Sequence, residues 1–226
     1  IISSKKLISL TMKQSLHKGR LRSFSIVILL LASLFSQAQL LNKFDRSTEE
    51  DFTEDRTKGV TRFMQHVSST TGAISFGIPA ALIIDGMISH NKTTVHKGVY
   101  IVKTIAVSTA ITFIMKYSFN RQRPFTSDSL VIKAGSGGGP SFPSGHTSLA
   151  FAAATSLSFA YPKWYVIIPS YLWAGTVAYS RMYLGVHYPT DVWVGAMVGT
   201  LSGYLSYKLN NWITHKKNTP VIPTIY

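Results

Sequence analysis

Five apolar stretches, set apart by short polar loops, dominate the last two thirds of this chain: 72–89, 98–119, 147–161, 164–180 and 192–209. All are rich in Ala, Gly, Ser and Thr, the small residues that let membrane helices approach closely. Their lengths approach the roughly 20 residues that cross a bilayer, although Pro162 stops the third one short. The expected fold is therefore all-α, a helical bundle of about five to six helices that is transmembrane. A mean hydropathy of only +0.16 keeps a soluble helical bundle open as the alternative.

Charge placement separates the two. The net charge is +14, which would ordinarily suggest nucleic acid. Yet Lys92 and Lys97 lie between the first two runs, Lys163 between the third and fourth, and Lys208, Lys216 and Lys217 at or beyond the end of the fifth. If all five runs span, these cations share one side, which the positive-inside rule makes cytoplasmic. A membrane rather than a nucleic-acid partner is expected. Trp164, Tyr165, Trp193 and Trp212 near the run ends suit an interfacial belt, and helix packing would use them equally well.

The first 38 residues read as an export signal. Lys5, Lys6, Lys13, Lys18, Arg20 and Arg22 come without an acid, the apolar run 24–35 follows, and Ser36-Gln37-Ala38 offers a small-x-small cleavage site. Met12 reads as the start and residues 1–11 as upstream sequence; an uncleaved first membrane helix is the alternative. A polar segment, 39–69, comes next and holds Asp45, Glu49, Glu50, Asp51, Glu54 and Asp55. Its expected form is a solvated or membrane-surface helix, with Ser47 and Glu50 as a capping box; no spacing there suits calcium. A catalytic region, 70–212, and a basic tail, 213–226, complete the division. The chain has no cysteine, which removes disulfides, thiolate catalysis and cysteine metal sites.

The chemistry is concentrated in three clusters at run ends. They are Lys116 with Arg123-Pro124, then Pro143-Ser144-Gly145-His146, then Ser180-Arg181 with His187 and Asp191. A transferring phosphoryl group spreads charge over its oxygens, so its catalysis is mostly positioning and charge stabilisation. Arg123 and Arg181 offer planar forks and Lys116 a point charge. Ser144 and Gly145 precede an apolar helix whose N-terminus attracts anions, and Gly145 lets backbone come close. His187 and Asp191 are four apart, with Pro189 suited to the first turn of the next helix. A carboxylate on one ring nitrogen leaves the other as nucleophile. His146 is then the general acid, and afterwards the base for water.

These clusters resemble the phosphatidic acid phosphatase type 2 superfamily, which includes membrane lipid phosphate phosphatases, soluble bacterial class A acid phosphatases and vanadium haloperoxidases. Its pattern is Lys, six residues, Arg-Pro; Pro-Ser-Gly-His; and Ser-Arg, five residues, His, three residues, Asp. Every position matches, over roughly residues 70 to 212. The resemblance implies a helical bundle, a phosphohistidine on His187, His146 as acid and base, Asp191 as the orienting carboxylate, and no metal or other cofactor. Outside the acidic segment only Asp85, Asp128 and Asp191 remain, too few for a two-metal site.

The expected function is thus hydrolysis of phosphate monoesters or pyrophosphates, lipid phosphates foremost, by an inner-membrane enzyme with a periplasm-facing site. A soluble periplasmic acid phosphatase acting on small phosphoesters, a vanadate haloperoxidase and a non-catalytic lipid-phosphate binder are the rivals. Three features are set apart. Asp85 lies inside the first run. Gly135-Ser136-Gly137-Gly138-Gly139 lacks the Lys-Ser/Thr of a phosphate loop and reads as a flexible lid or hinge. His17, His66, His90, His96 and His215 have no matched partners and receive no role.

Overall fold

The computed structural model describes residues 38–215, with side chains from 44 to 213. The expected signal segment therefore lies outside the described residues. The chain divides into two compact units at residue 44. The described part of the first is residues 38–44, the opening of a helix, and all that follows concerns the second.

Every element among the described residues is helical: α1 (Ala38–Glu54), α2 (Lys58–Ile88), α3 (Lys92–Phe119), the single turn α4 (Pro124–Ser127), α5 (Gly145–Ala160), α6 (Trp164–Tyr183) and α7 (Pro189–His215). Local chemistry sets several boundaries. Thr57 caps α2 by accepting from the Val60 N–H, and Asn91 caps α3 by accepting from the Thr94 N–H. Asn120 ends α3 in the left-handed conformation, with φ of 44°. Pro124 and Pro189 each open a helix, where a missing N–H costs nothing.

Two expectations about the N-terminal part are corrected. Ser47 lies inside α1, so no capping box forms at Ser47 and Glu50; the helix that needs a cap starts at Thr57. The acidic helix is not uniformly solvated, since Asp45 and Glu49 are fully buried. In addition, α2 begins at Lys58 and runs unbroken through the 69/70 boundary drawn from polarity.

Helix α5 is the hub, packed on α2, α3, α6 and α7. Its Ala150, Ala152, Ala154 and Ser156 are buried, and small side chains bring neighbouring backbones close. On α7, Gly195, Gly199 and Gly203 face it at four-residue intervals. A Cβ on Gly195 would stand 2.7 Å from the Ser144 carbonyl oxygen, and one on Gly199 2.8 Å from the Ala152 nitrogen. Hydroxyls join other helix pairs: on α5, Ser148 Oγ lies 2.7 Å from both Ser108 Oγ and Thr112 Oγ1 of α3, and Trp173 Nε1 of α6 donates to Thr70 Oγ1 of α2 at 3.0 Å.

Small polar residues thus share the interior with a core that includes Ile101, Ile105 and Leu184, while many other large apolar residues face out. Ile84, Met87, Ile88, Phe113, Ile114, Leu172 and Leu205 are all more than half exposed. Such a surface is out of place in water and at home in lipid. Helix α2 and the stretch Lys92–Ser127 are long and apolar enough to cross a membrane. The third expected run forms the short, largely enclosed α5, whose neighbours rather than lipid cover it.

The fold gathers the ends of α3, α6, α5 and α7 into one face of the bundle. At the opposite face Lys97 sits over the Tyr161 ring, 4.0 Å from its centroid, joining the α2–α3 and α5–α6 turns.

Candidate active site

Arg123 is bound on every side. Its Nε donates to the Gly139 carbonyl at 3.0 Å, and Nη2 to the Gly138 carbonyl at 2.9 Å. Nη1 reaches the Val186 carbonyl at 2.7 Å and His187 Nε2 at 3.1 Å. A guanidinium has only donors, so Nε2 must be the accepting, unprotonated nitrogen of His187. The other ring nitrogen, Nδ1, faces Asp191 Oδ2 at 3.4 Å, which suits an Nδ1–H tautomer. A lone pair on Nε2 is what a nucleophile at this position requires.

Burial reinforces that state. His187 is 1% exposed, and desolvation pushes its pKa down to about 3, with Arg123 and Arg181 adding to the effect and Asp191 opposing it. His146, in the first turn of α5, is lowered to about 4, by burial first and then by Arg181, Arg123 and Lys116. The same causes show that these three cations converge on His146. A dianionic phosphate among them would offset their field and raise His146 toward the range where it holds a proton.

Lys116 donates to the Pro140 carbonyl at 2.6 Å, and its Cε would lie 3.8 Å from a Cβ on Gly145. Lys116 therefore lies against the start of α5, where Gly145 leaves room. Ser144 is fully buried; its N–H donates to the Asp191 carbonyl at 2.9 Å, and its Oγ accepts from Thr147. Arg181, 1% exposed, donates through Nη1 to Ser68 Oγ and through Nη2 to the Ser136 carbonyl at 2.5 Å. Its Nε is buried without a hydrogen-bond partner.

All eight residues singled out in the three clusters, Lys116, Arg123, Ser144, Gly145, His146, Arg181, His187 and Asp191, thus meet at one end of the bundle. The glycine-rich segment, expected as a flexible lid or hinge, rests on the site in this structure. Carbonyls of Ser136, Gly138 and Gly139 are hydrogen-bonded to the two arginines, and a Cβ on Gly137 would stand 2.8 Å from Arg123 Nη1. Side-chain bulk is excluded there because the loop lies directly on Arg123. Asp85 is exposed one turn from the end of α2 and takes no part in the site.

The clusters alone did not disclose Ser68, Ser141, Arg121 or Asp45. Ser141 Oγ donates to Asp191 Oδ2, and Arg121 Nη1 to Asp191 Oδ1 at 2.8 Å. Arg121 also reaches Asp45 on α1, at 2.7 Å. Burial alone would raise the Asp191 pKa; the bonds from His187, Arg121 and Ser141 outweigh it and keep the carboxylate lowered and ionised.

Comparison with known proteins agrees with the geometry. A lipid A 4'-phosphatase of Bacteroides thetaiotaomicron is 36% identical over 104 residues, which are 45% of this chain and 46% of that protein. The chain spans about half the length of the curated relatives it matches. The crystal structure of Aquifex aeolicus LpxE is similar with a TM-score of 0.62 and 28% identity, over 73% of this chain and 95% of that one. A transmembrane PAP2-type phosphatidylglycerolphosphate phosphatase from Bacillus subtilis shares the fold, with a TM-score of 0.67 and 24% identity over 82% and 96%. Residues 97–215, more than half of the chain and every position of the three-part pattern, match the family profile described as the PAP2 superfamily. The chain belongs to that superfamily.

Proposed function

We propose that this protein is a phosphatase that hydrolyses lipid phosphate monoesters or pyrophosphates through a phosphohistidine on His187. The observation that carries the reading is the gathering of Lys116, Arg123, Arg181, His146 and the His187–Asp191 pair at one end of an apolar-faced bundle, with Arg123 on His187 Nε2. Arg181 Nε, Lys116 and the free N–H groups opening α5 receive the phosphoryl oxygens. Arg123, whose donors now rest on loop carbonyls and on Nε2, transfers hydrogen bonds from them to phosphate as the loop yields. His187 Nε2 attacks phosphorus. His146 binds a proton as the phosphate dianion offsets the surrounding cations, and the bond to the leaving oxygen breaks as that oxygen takes this proton. His146 then removes a proton from water, the new oxygen bonds to phosphorus, and the N–P bond breaks to restore the Nε2 lone pair.

A lipid substrate is supported by the exposed apolar belt, which brings the site to a bilayer surface, and by the relative named for lipid A. The protein lies in the inner membrane with its site toward the periplasm. That orientation is supported by Lys92, Lys97, Lys163 and Lys208 at the far end of the bundle.

The test is His187→Ala in detergent-purified protein, assayed on para-nitrophenyl phosphate and dioctanoyl phosphatidic acid. Phosphate release is expected to fall to background, and a radiolabelled phosphoryl group trapped on the wild-type chain is expected to be missing. Undiminished release by the variant would remove the mechanism.

A further inference from the structure

Arg121 and Asp45 are built around Asp191 in a way the reaction above leaves unused. Asp191 divides its oxygens: Oδ2 faces His187 Nδ1 and accepts from Ser141 Oγ and from the Tyr188 N–H at 3.0 Å, while Oδ1 faces away from the imidazole and accepts from Arg121 Nη1 at 2.8 Å. The same Nη1 reaches Thr190 Oγ1 at 2.8 Å, and Nη2 holds Asp45 Oδ2 at 2.7 Å. The guanidinium plane covers the Tyr188 ring, its Cζ 4.0 Å from the centroid. Asp45 completes the assembly. Its Oδ1 accepts from the Thr190 N–H at 3.1 Å and its Oδ2 from Thr190 Oγ1 at 2.5 Å, so a carboxylate from α1 caps the first turn of α7, the turn that carries Asp191.

We propose that Arg121, locked by Asp45 of α1, is a positioning residue that sets the Asp191 carboxylate against His187. Both carboxylates are fully buried, so each demands a fixed cation or hydrogen-bond donors. A neutral His187 supplies no charge to Asp191; Arg121 does. Its donors point at carboxylates and a hydroxyl, away from the imidazole, so it serves the orienting group and not the phosphate. Asp45 keeps it there: without that anchor, a guanidinium with about a quarter of its side-chain surface exposed is free to turn toward water. Helix α1 lies outside residues 97–215, the span shared with the family, and so adds its own part to the shared site.

The inference rests on the phosphohistidine reading, because orienting Asp191 matters only if His187 reacts. As positive charge builds on the His187 ring in the transition state, a correctly placed Asp191 stabilises it there and not in the ground state. Loss of the positioning residue therefore lowers kcat and leaves KM in place.

The experiment compares Arg121→Gln, Asp45→Asn, the double variant, Arg121→Lys and His187→Ala on para-nitrophenyl phosphate, with thermal melting of each. Arg121→Gln and Asp45→Asn are each expected to lose kcat roughly 10- to 100-fold, by analogy with the loss when an outer-shell partner of a metal-ligating imidazole is removed. KM should stay within about twofold, Arg121→Lys should recover part of the loss, and the double variant should be no worse than Arg121→Gln alone. Full kcat in Arg121→Gln beside a dead His187→Ala would overturn the proposal and leave the phosphohistidine intact. An active His187→Ala would overturn the underlying mechanism instead. Loss that follows melting temperature, or that raises KM equally, would mark a purely structural role and also overturn it. Should Arg121→Gln not fold, Asp45→Asn, close in shape to the native residue, decides between the same outcomes.

Discussion

Glu49 is the most unusual single residue outside the three clusters. It is fully buried on α1, and neither carboxylate oxygen has a hydrogen-bond partner. Burial lifts its pKa to about 9; Arg56 opposes the rise, and Asp191 and Asp45 add to it. At neutral pH Glu49 is thus a neutral acid near the ionised Asp191 carboxylate. The folded chain holds a proton there that the unfolded chain releases near 4.5. Stability from this group is complete below 4.5 and declines as pH rises toward about 9. Glu49→Gln keeps the shape and removes the titration. The variant is expected to melt close to wild type at pH 5 and progressively above it by pH 8.5. One pKa unit is worth about 1.4 kcal/mol, and each kcal/mol moves the melting point of a domain this size by roughly 2–4 °C. A constant difference between the two proteins across that pH range would show that Glu49 is ionised when folded.

Asp45, Glu49 and Arg121 also mark where the sequence stops being readable. The three clusters are short, contiguous patterns whose residue types announce phosphate chemistry. Asp45 and Glu49 look the same as Glu50, Asp51, Glu54 and Asp55, and nothing local separates the pair that is buried from the four that are not. The Asp45–Arg121 bond links residues 76 apart, so it exists only once α1 has docked near the start of α7. Arg121 itself stood in plain view, two residues before Arg123, but an arginine in a basic loop carries no sign of which anion it serves.

Among the elements, the α5–α7 contact governs the geometry of the site, because α5 carries His146 and α7 carries Asp191. The apolar runs 147–161 and 192–209 in the sequence predict that both helices exist. The spacing between them follows from where α7 lacks side chains. A Cβ at Gly199 would stand 2.8 Å from the Ala152 nitrogen and from Phe151 Cβ, closer than backbone can yield without the helices parting. Gly175 on α6 is also helical, yet a Cβ there meets nothing within 4 Å. The two glycines should therefore respond oppositely to alanine. Gly199→Ala is expected to destabilise by about 1–3 kcal/mol through overpacking, and to lower activity as α7 shifts away from Ser144. Gly175→Ala is expected to be neutral or to stabilise by up to about 1 kcal/mol, the helix propensity gained. Equal melting points for the two variants would contradict the close-packed interface.

At the scale of the whole molecule, orientation decides which phosphates the site can meet. The turn at 89–91, the turn at 161–163 and the C-terminal part of α7 share one end of the bundle, and Lys92, Lys163 and Lys208 are exposed there. The site and the loop before Pro143 occupy the other. A charged lysine resists transfer across a bilayer far more than a serine does, so the proposed orientation predicts the lysine-bearing end in the cytoplasm and the site outside. The absence of cysteine makes this directly measurable, since any single introduced thiol is the only one on the chain. Ser129→Cys places it in the exposed loop at the site end, and Lys163→Cys places it at the far end. In intact spheroplasts, a membrane-impermeant maleimide is expected to label Ser129→Cys at once and Lys163→Cys only after permeabilisation. The reverse pattern would put the site in the cytoplasm. Equal labelling of both without permeabilisation would mean that the bundle does not span the membrane, and its exposed apolar surface would then need a protein partner instead of lipid.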